Sequence, residues 1–391
     1  MRALASVMVV CYHCALFIGV FSSMRHAGIQ SPLAAWRPVL NGLWCGIDIF
    51  FVLSGFLIGR ILFLQLAHSG NINFKQFFLR RFFRIFPAYY FILTISLLII
   101  APLSFTLWPL LYGTTDWTRL LCTAWANLFY INNYVLAGHQ ANALSWGWSL
   151  CVEEHFYLLL PLLLTALFTN PLARYRLAGL IACVLLPLAG RWIQYQLDPR
   201  LVITDGFYYF SHNRFDEIFI GVITAYLYVF HFQLLKAAVK RFQSCIWAVA
   251  AGCFGVVWIY GGLYGTGAMT VVWQFSLLPI GSALLLVNGL FATNRCYRFF
   301  AHPLWYPLSR ISYGTYLIHP FVLFGCLEIY LGWTGTTRMP MHTFIILFLT
   351  VFILSSISAA LMFCLLERPL LDYGIRLNRP AAKPRQPALT G

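Results

Sequence analysis

The sequence predicts an all-α, polytopic integral membrane protein, and three observations predict it. Of 391 residues, 61% are hydrophobic and only 9% charged. Mean hydropathy is +0.77. The apolar residues come in runs that reach or approach the ~20 needed to cross ~30 Å of hydrocarbon as helix, as in "FILTISLLIIAPL", "AGLIACVLLPLAG" and "FIILFLTVFILSSISAALMFCLL". A water-soluble globular domain of this length does not need such a composition.

Taken in order, the runs give about ten transmembrane helices, near 3–20, 44–64, 86–103, 145–168, 177–195, 215–235, 245–264, 269–291, 311–332 and 342–366. The stretch 104–144, around "RLLCTAWANLFYINNYVLAG", is apolar enough to suggest an eleventh. Letting it span would put Arg174, Arg176, Lys236, Lys240 and Arg241 outside, against the excess of Lys and Arg that cytoplasmic loops carry. Read as extracytoplasmic or partly inserted, it leaves both termini cytoplasmic and most of the 26 Lys and Arg residues on or beside the inner face. Residues 1–370 then form one membrane domain, and the Pro-rich polar end within 371–391 reads as a disordered cytoplasmic tail. The first apolar run lacks a small-residue cleavage site, so no signal peptide is expected, and no internal repeat is visible.

A net charge of +15 would suggest nucleic acid in a soluble chain. Here the basic residues sit in short loops between apolar runs, where they set topology, so the expected partner is membrane lipid and not nucleic acid. The 11 cysteines fall mostly inside apolar runs and read as small buried hydrophobes, not a disulfide framework. "CYHC" (Cys11, His13, Cys14) has no second Cys/His pair at ligand spacing, so no metal is expected.

Against this apolar background the ionisable residues stand out, because charge at membrane depth is costly and marks function by default. Arg2 and His13 are eleven residues apart, which at about 100° per residue places them on one helical stripe. Counting about 1.5 Å per residue from the nearer surface puts His13 about 15 Å deep, Glu153 and Glu154 about 12 to 14 Å and His319 about 12 Å. Four titratable groups at one depth suggest a shared polar cavity. An imidazole there can take a proton from a hydroxyl, and a carboxylate beside it would orient it and stabilise the imidazolium. Structural glue between helices is the competing reading for Glu153, Glu154 and His319.

At these residues the sequence resembles acyltransferase family 3, the integral membrane O-acyltransferases, over roughly residues 1–370. "RALASVMVVCYH" matches the family's Arg-x10-His first helix, "DIFFVLSGFLI" its Phe-Phe-x-x-Ser-Gly element, and "RRFFRIFPAYY" its Arg-x-x-Arg pair at Arg81 and Arg84. "WSLCVEEHFYLLLP", "NRFDEIFIG", "ISYGTYLIHP" and "ERPL" supply the remaining landmarks in the family's order. The family's short Leu-Asp-Gly-Leu stretch has no counterpart before Arg2, and the hydrolase-like domain some relatives carry is not expected.

The resemblance implies a bacterial inner-membrane enzyme that moves an acyl group, most often acetyl from acetyl-CoA, to a hydroxyl of an extracytoplasmic glycan, lipopolysaccharide or other envelope acceptor. It makes His13 the catalytic base, Arg2 its partner, and Arg81 and Arg84 the pair that handles the cytosolic donor. Acyl-CoA is then a substrate, with no permanently bound cofactor. The residues themselves fit this. Arg81 and Arg84, three apart on one helical face, could grip the phosphates of CoA or simply anchor topology. Ser54 and Gly55 are small enough to admit a pantetheine arm or to let helices approach closely. Asp48, and Asp216 with Arg214, sit near outer helix ends and suit either acceptor contacts or an interfacial salt bridge. Trp36, Trp108, Trp117, Trp125, Trp146, Trp148, Tyr208 and Tyr209 form an outer aromatic set, read mainly as an interfacial belt and partly, with Trp146, as a surface on which sugars stack. A proton-coupled transporter is the rival reading, since midplane carboxylates and histidines also relay protons; it requires inverted repeats, which the sequence does not display.

Reporter fusions after residues 72, 172, 238, 296 and 385 should read cytoplasmic, and fusions near 30, 115, 205 and 336 extracytoplasmic. A cytoplasmic signal near 205 would restore an eleven-span arrangement.

Overall fold

Each of the ten apolar stretches is a helix. The computed structural model describes residues 1–24, 37–100, 102, 117–135, 143–169, 174–263, 267–291, 295–334 and 339–377. The long helices are α1 (Arg2–Met24), α2 (Gly46–Ser69), α3 (Phe74–Ile95), α4 (Trp148–Thr169), α5 (Arg176–Leu197), α6 (Ser211–Phe230), α7 (Phe232–Tyr260), α8 (Gln274–Phe291), α9 (Trp305–Thr334) and α10 (Met341–Met362). No strand occurs among the described residues.

Among the described residues, eight helical segments are long and apolar enough to cross a membrane. The other two long helices depart for identifiable reasons. In α1 the apolar segment is the shorter Arg2–Ile18, and α6 carries Arg214, Asp216 and Glu217, all fully buried. Of the stretch 104–144, the described part holds a helix over Trp117–Leu128 and a turn of helix over Asn132–Val135. It hangs on the far half of α3 through Tyr89 Oη donating to Asn127 O (3.1 Å), Tyr90 Oη to Leu128 O (2.7 Å) and Ser96 Oγ to Ala143 O (2.7 Å).

The tightest contact in the bundle joins α2 to α6. A Cβ on Gly55 would lie 1.9 Å from the carbonyl oxygen of Ile218, and one on Gly221 would lie 2.1 Å from that of Val52. Only glycine permits the two backbones to touch in this way. Gly55 is therefore a packing residue, and the expectation that it receives the donor's arm is corrected.

On α6 lie two ion-pair clusters with no exposed side-chain surface. Arg191 of α5 grips Asp216 through Nη1 to Oδ1 (3.0 Å) and Nη2 to Oδ2 (2.6 Å), and Ser276 Oγ, which accepts from Arg191 (2.8 Å), donates to the same carboxylate (2.9 Å). Arg214 binds Asp48 through Nη2 (3.1 Å) and Glu217 through Nε (2.6 Å). Asp216 thus pairs with Arg191 and not with its sequence neighbour Arg214. From α6 the two residues reach different helices, and the partner choice follows from what each helix presents.

A large apolar core surrounds these clusters, and a smaller one lies between α1, α9 and α10, formed by residues such as Val10, Cys14, Leu323, Phe324, Leu347 and Val351. Among the described side chains ten cysteines are free; Cys14, Cys45, Cys151 and Cys253 are buried as expected, while Cys122, Cys245 and Cys364 are exposed on helix faces. The last helix, Arg368–Leu377, continues into the region expected to be tail, because Gly374 lets it lie against Phe83, whose ring also meets Tyr373 edge-on at 5.9 Å.

Replacing Arg191 with Met should cost about 3–5 kcal/mol, since it strands a buried carboxylate, whereas adding Asp216→Leu to it should recover much of the loss. Thermal unfolding of the single and double variants in detergent checks this.

Candidate active site

Two cavities lie along α1, Arg2 opening on one and His13 on the other. The inner cavity leaves about 670 Å³ free of protein atoms and is lined by Arg2, Arg81, Arg84, Glu153 and Tyr157, with Ser149, Tyr313 and Tyr316 among the other walls. The outer cavity leaves about 870 Å³ and is lined by Val9, His13, Trp44, Trp146, Trp148, Tyr208 and Tyr209, among others.

Positive charge dominates the inner cavity. Arg2, Arg81 and Arg84 repel one another electrostatically, and none of the three forms an ion pair among the described residues. Arg2 Nε is buried without a hydrogen-bond partner. Glu153 supplies the balancing carboxylate within the cavity, but both its oxygens are engaged: Oε1 accepts from Ser54 Oγ (2.5 Å) and Oε2 from Tyr157 Oη (2.9 Å). The Tyr157 ring also faces the Arg81 guanidinium at 5.5 Å. Arg84 is drawn to Glu367, from the "ERPL" landmark. Three guanidiniums around a cavity holding one carboxylate make a site for an anion, and their planar forks suit phosphate oxygens.

In the outer cavity the polar centre is a pair of histidines. His319 is fully buried behind His13, with its Nε2 3.1 Å from His13 Nδ1. Pro320, inside α9, explains how His319 is held. Proline has no N–H, so the carbonyl four residues back, that of Tyr316, loses its helical donor. His319 Nδ1–H takes that place at 2.8 Å from Tyr316 O, with Thr315 O at 3.3 Å. With the proton of His319 on Nδ1, its Nε2 is bare and accepts. His13 Nδ1–H donates to it and to Val9 O at 3.0 Å. The tautomers assigned from these partners leave the lone pair of His13 on Nε2, the nitrogen an incoming hydroxyl needs.

Aromatic rings make the rest of the outer wall. Trp148 and Tyr208 lie 4.6 Å apart, Trp148 and Tyr209 5.5 Å, and Trp44 meets Tyr208 edge-on at 6.1 Å. Arg214 backs this panel, its guanidinium 4.2 Å from the Phe275 ring, 5.0 Å from Tyr208 and 5.6 Å from Trp148. Of the outer aromatic set, Trp146, Trp148, Tyr208 and Tyr209 are cavity wall instead of belt, and Trp125 is half exposed; Trp36 and Trp108 lie outside the described residues, as does the side chain of Trp117.

The single shared cavity expected from depth counting is replaced by two. Glu153 lies with Arg2, while Glu154 lines neither cavity and leaves Oε1 buried without a hydrogen-bond partner. The counting failed because helices do not start at one level: Arg2, at the start of α1, shares a cavity with Arg84 and Tyr313, which lie about 12–15 Å along α3 and α9. His319 touches His13 and not the cavity, and Asp48, Arg214 and Asp216 stand behind the wall, so none of the four is placed to meet an acceptor. Sequence reading missed Glu217, Arg191, Tyr316 and Ile47; of these, Glu217 in the "NRFDEIFIG" landmark and Tyr316 in "ISYGTYLIHP" carried a signal.

A family profile described as an acyltransferase domain matches residues 1–360. The chain belongs to acyltransferase family 3. Among curated relatives of this family, a Staphylococcus aureus (strain COL) protein provisionally named an O-acetyltransferase is 25% identical over 370 residues, covering 88% of this chain and 56% of that one. The peptidoglycan O-acetyltransferase OatA of Listeria monocytogenes is 26% identical over 336 residues, covering 82% and 48%. A Bacillus subtilis protein provisionally named a peptidoglycan O-acetyltransferase is 32% identical over 197 residues, 47% of this chain and 29% of that one. The chain spans about half the length of the curated relatives it matches. No solved structure matches it.

Proposed function

We propose that this member of the family is a bacterial inner-membrane O-acetyltransferase that uses cytosolic acetyl-CoA and acetylates a hydroxyl of an envelope glycan. The observation that carries the reading is the His13–His319 pair, which presents a bare imidazole nitrogen to an aromatic cavity on one side of an arginine-lined cavity. The names of the relatives support O-acetyl transfer to a glycan, and sugars pack on aromatic faces.

In this reading Arg2, Arg81 and Arg84 bind the phosphates of CoA, and Glu153 with Tyr157 holds Arg81 in place. Arg2 is a donor-binding residue; it lies about 16 Å along α1 from His13 and does not act on it directly. The acceptor enters the outer cavity against Trp148, Tyr208 and Trp44. His13 Nε2 takes the hydroxyl proton as the oxygen bonds to the thioester carbonyl carbon. The C–S bond then breaks, the ester is left on the acceptor, and the departing sulfur takes the proton back from His13. While His13 is cationic, its Nδ1–H bond to His319 strengthens, so a neutral imidazole performs the stabilising task that the sequence reading gave to a carboxylate. Glu153 and Glu154 are not needed at the reacting atoms.

The test is acetyl transfer from labelled acetyl-CoA by the purified protein in proteoliposomes, offered peptidoglycan fragments and lipopolysaccharide in parallel. His13→Ala should lower kcat by about a hundredfold or more with unchanged thermal stability, because a general base typically contributes 10² to 10⁴. Activity that survives His13→Ala overturns the mechanism. Changing Arg81 and Arg84 together to Gln should raise KM for acetyl-CoA at least about tenfold, since each charged hydrogen bond lost costs about 1.5–3 kcal/mol. Unchanged donor kinetics would return both to the role of topology anchors.

A further inference from the structure

Among the described residues, Ile47 is the one that lines both cavities. Its position is set by Gly46. A Cβ there would lie 2.9 Å from Ala5 O and 3.0 Å from Val9 Cγ2, so the start of α2 presses on α1 between Arg2 and His13. That is also where the lining of α1 changes, Arg2 facing the inner cavity and Val9 the outer. Ile47 is therefore set between the donor's phosphate site and the base, and it is only 6% exposed.

The polar walls of the two cavities are latched to each other. Tyr316 Oη and Ser149 Oγ, both facing the inner cavity, share a hydrogen bond of 2.7 Å. Tyr316 Oη also reaches Trp146 O, while Trp146 Nε1, on the outer side, donates to Leu317 O at 3.2 Å. Opening that latch would break several buried hydrogen bonds, each expensive to leave unmade. Moving Ile47 requires only a change of rotamer of an apolar side chain.

We infer that Ile47 is the passage point for the acyl group between the two cavities and selects donors by the width of that group, admitting acetyl and retarding branched acyl chains. The inference rests on the proposed function. The acyl group leads the thioester on its way from the inner cavity to His13, so its cross-section meets the partition first. A β-branched side chain has few rotamers with which to yield, and a pocket that is one methylene too tight discriminates by 10–200-fold. The same side chain, in its closed position, keeps water of the outer cavity from the thioester.

The experiment compares acetyl-CoA with isobutyryl-CoA as donors for the unsubstituted protein, Ile47→Ala and Ile47→Phe in proteoliposomes. Transfer and, without acceptor, release of free CoA thiol are both read. The unsubstituted protein should favour acetyl over isobutyryl at least about tenfold. Ile47→Ala should shrink that ratio several-fold and raise acceptor-free thiol release, while KM for acetyl-CoA stays constant. Ile47→Phe should lower kcat for acetyl about tenfold or more, again without raising donor KM. If Ile47→Phe does not fold, the ratio in Ile47→Ala decides alone. A donor ratio and thiol release that Ile47→Ala leaves unchanged overturn this inference and spare the proposed function. Absence of acetyl transfer by the unsubstituted protein overturns the proposed function and this inference with it.

Discussion

The backbone contact between α2 and α6 at Gly55 and Gly221 is the constraint on which the rest depends. With the two helices touching, Arg214 of α6 comes within reach of Asp48 of α2, and a buried charge cluster becomes possible in a protein with few charges. That cluster backs the aromatic panel of the outer cavity through Arg214. Directly before Gly55, Ser54 reaches Glu153 and fixes the carboxylate of the inner cavity. At its start, α2 delivers Ile47 to the partition. One close approach thus sets both cavity walls and what stands between them.

Much of the fold was legible because hydropathy is a property of contiguous sequence. Runs near the length of a membrane crossing became helices, and the eleven-residue spacing of Arg2 and His13 placed them on one stripe, as the cavities along α1 reflect. What depends on where one helix stands relative to another was not legible. Depth counting put Glu153 beside His13, but α1 begins well along α3 and α9, so Glu153 meets Arg2. The partners of Asp216 and Arg214 were hidden for the same reason: two residues apart in α6, they point to α5 and α2. Trp148 and Tyr208 looked like interfacial aromatics because residue type alone does not distinguish a ring at a membrane surface from one facing a cavity inside the bundle.

In the proposed reaction, the distribution of charge between the cavities separates binding from chemistry. The inner cavity gathers guanidiniums, which cannot lose their protons and so suit holding. Among the described residues the outer one has imidazole and phenol as its titratable groups, and imidazole exchanges protons near neutral pH. A transporter would need its titratable groups along a single path open to each side in turn. Here the arginines and the histidines occupy different cavities, which fits a two-substrate reaction better.

Pro320 gives the arrangement a further consequence. By lacking an N–H it releases one carbonyl, and that carbonyl decides which nitrogen of His319 keeps its proton, and through it which nitrogen of His13 is free. The acid–base character of the site is thereby encoded in a residue that can neither give nor take a proton. A substitution at position 320 would restore an ordinary helix and look conservative to any comparison of shape or polarity, yet it would let the ring of His319 turn over and present the wrong edge. In the proposed mechanism, the grammar of helix breaking and the grammar of proton transfer are written in the same two letters, His-Pro.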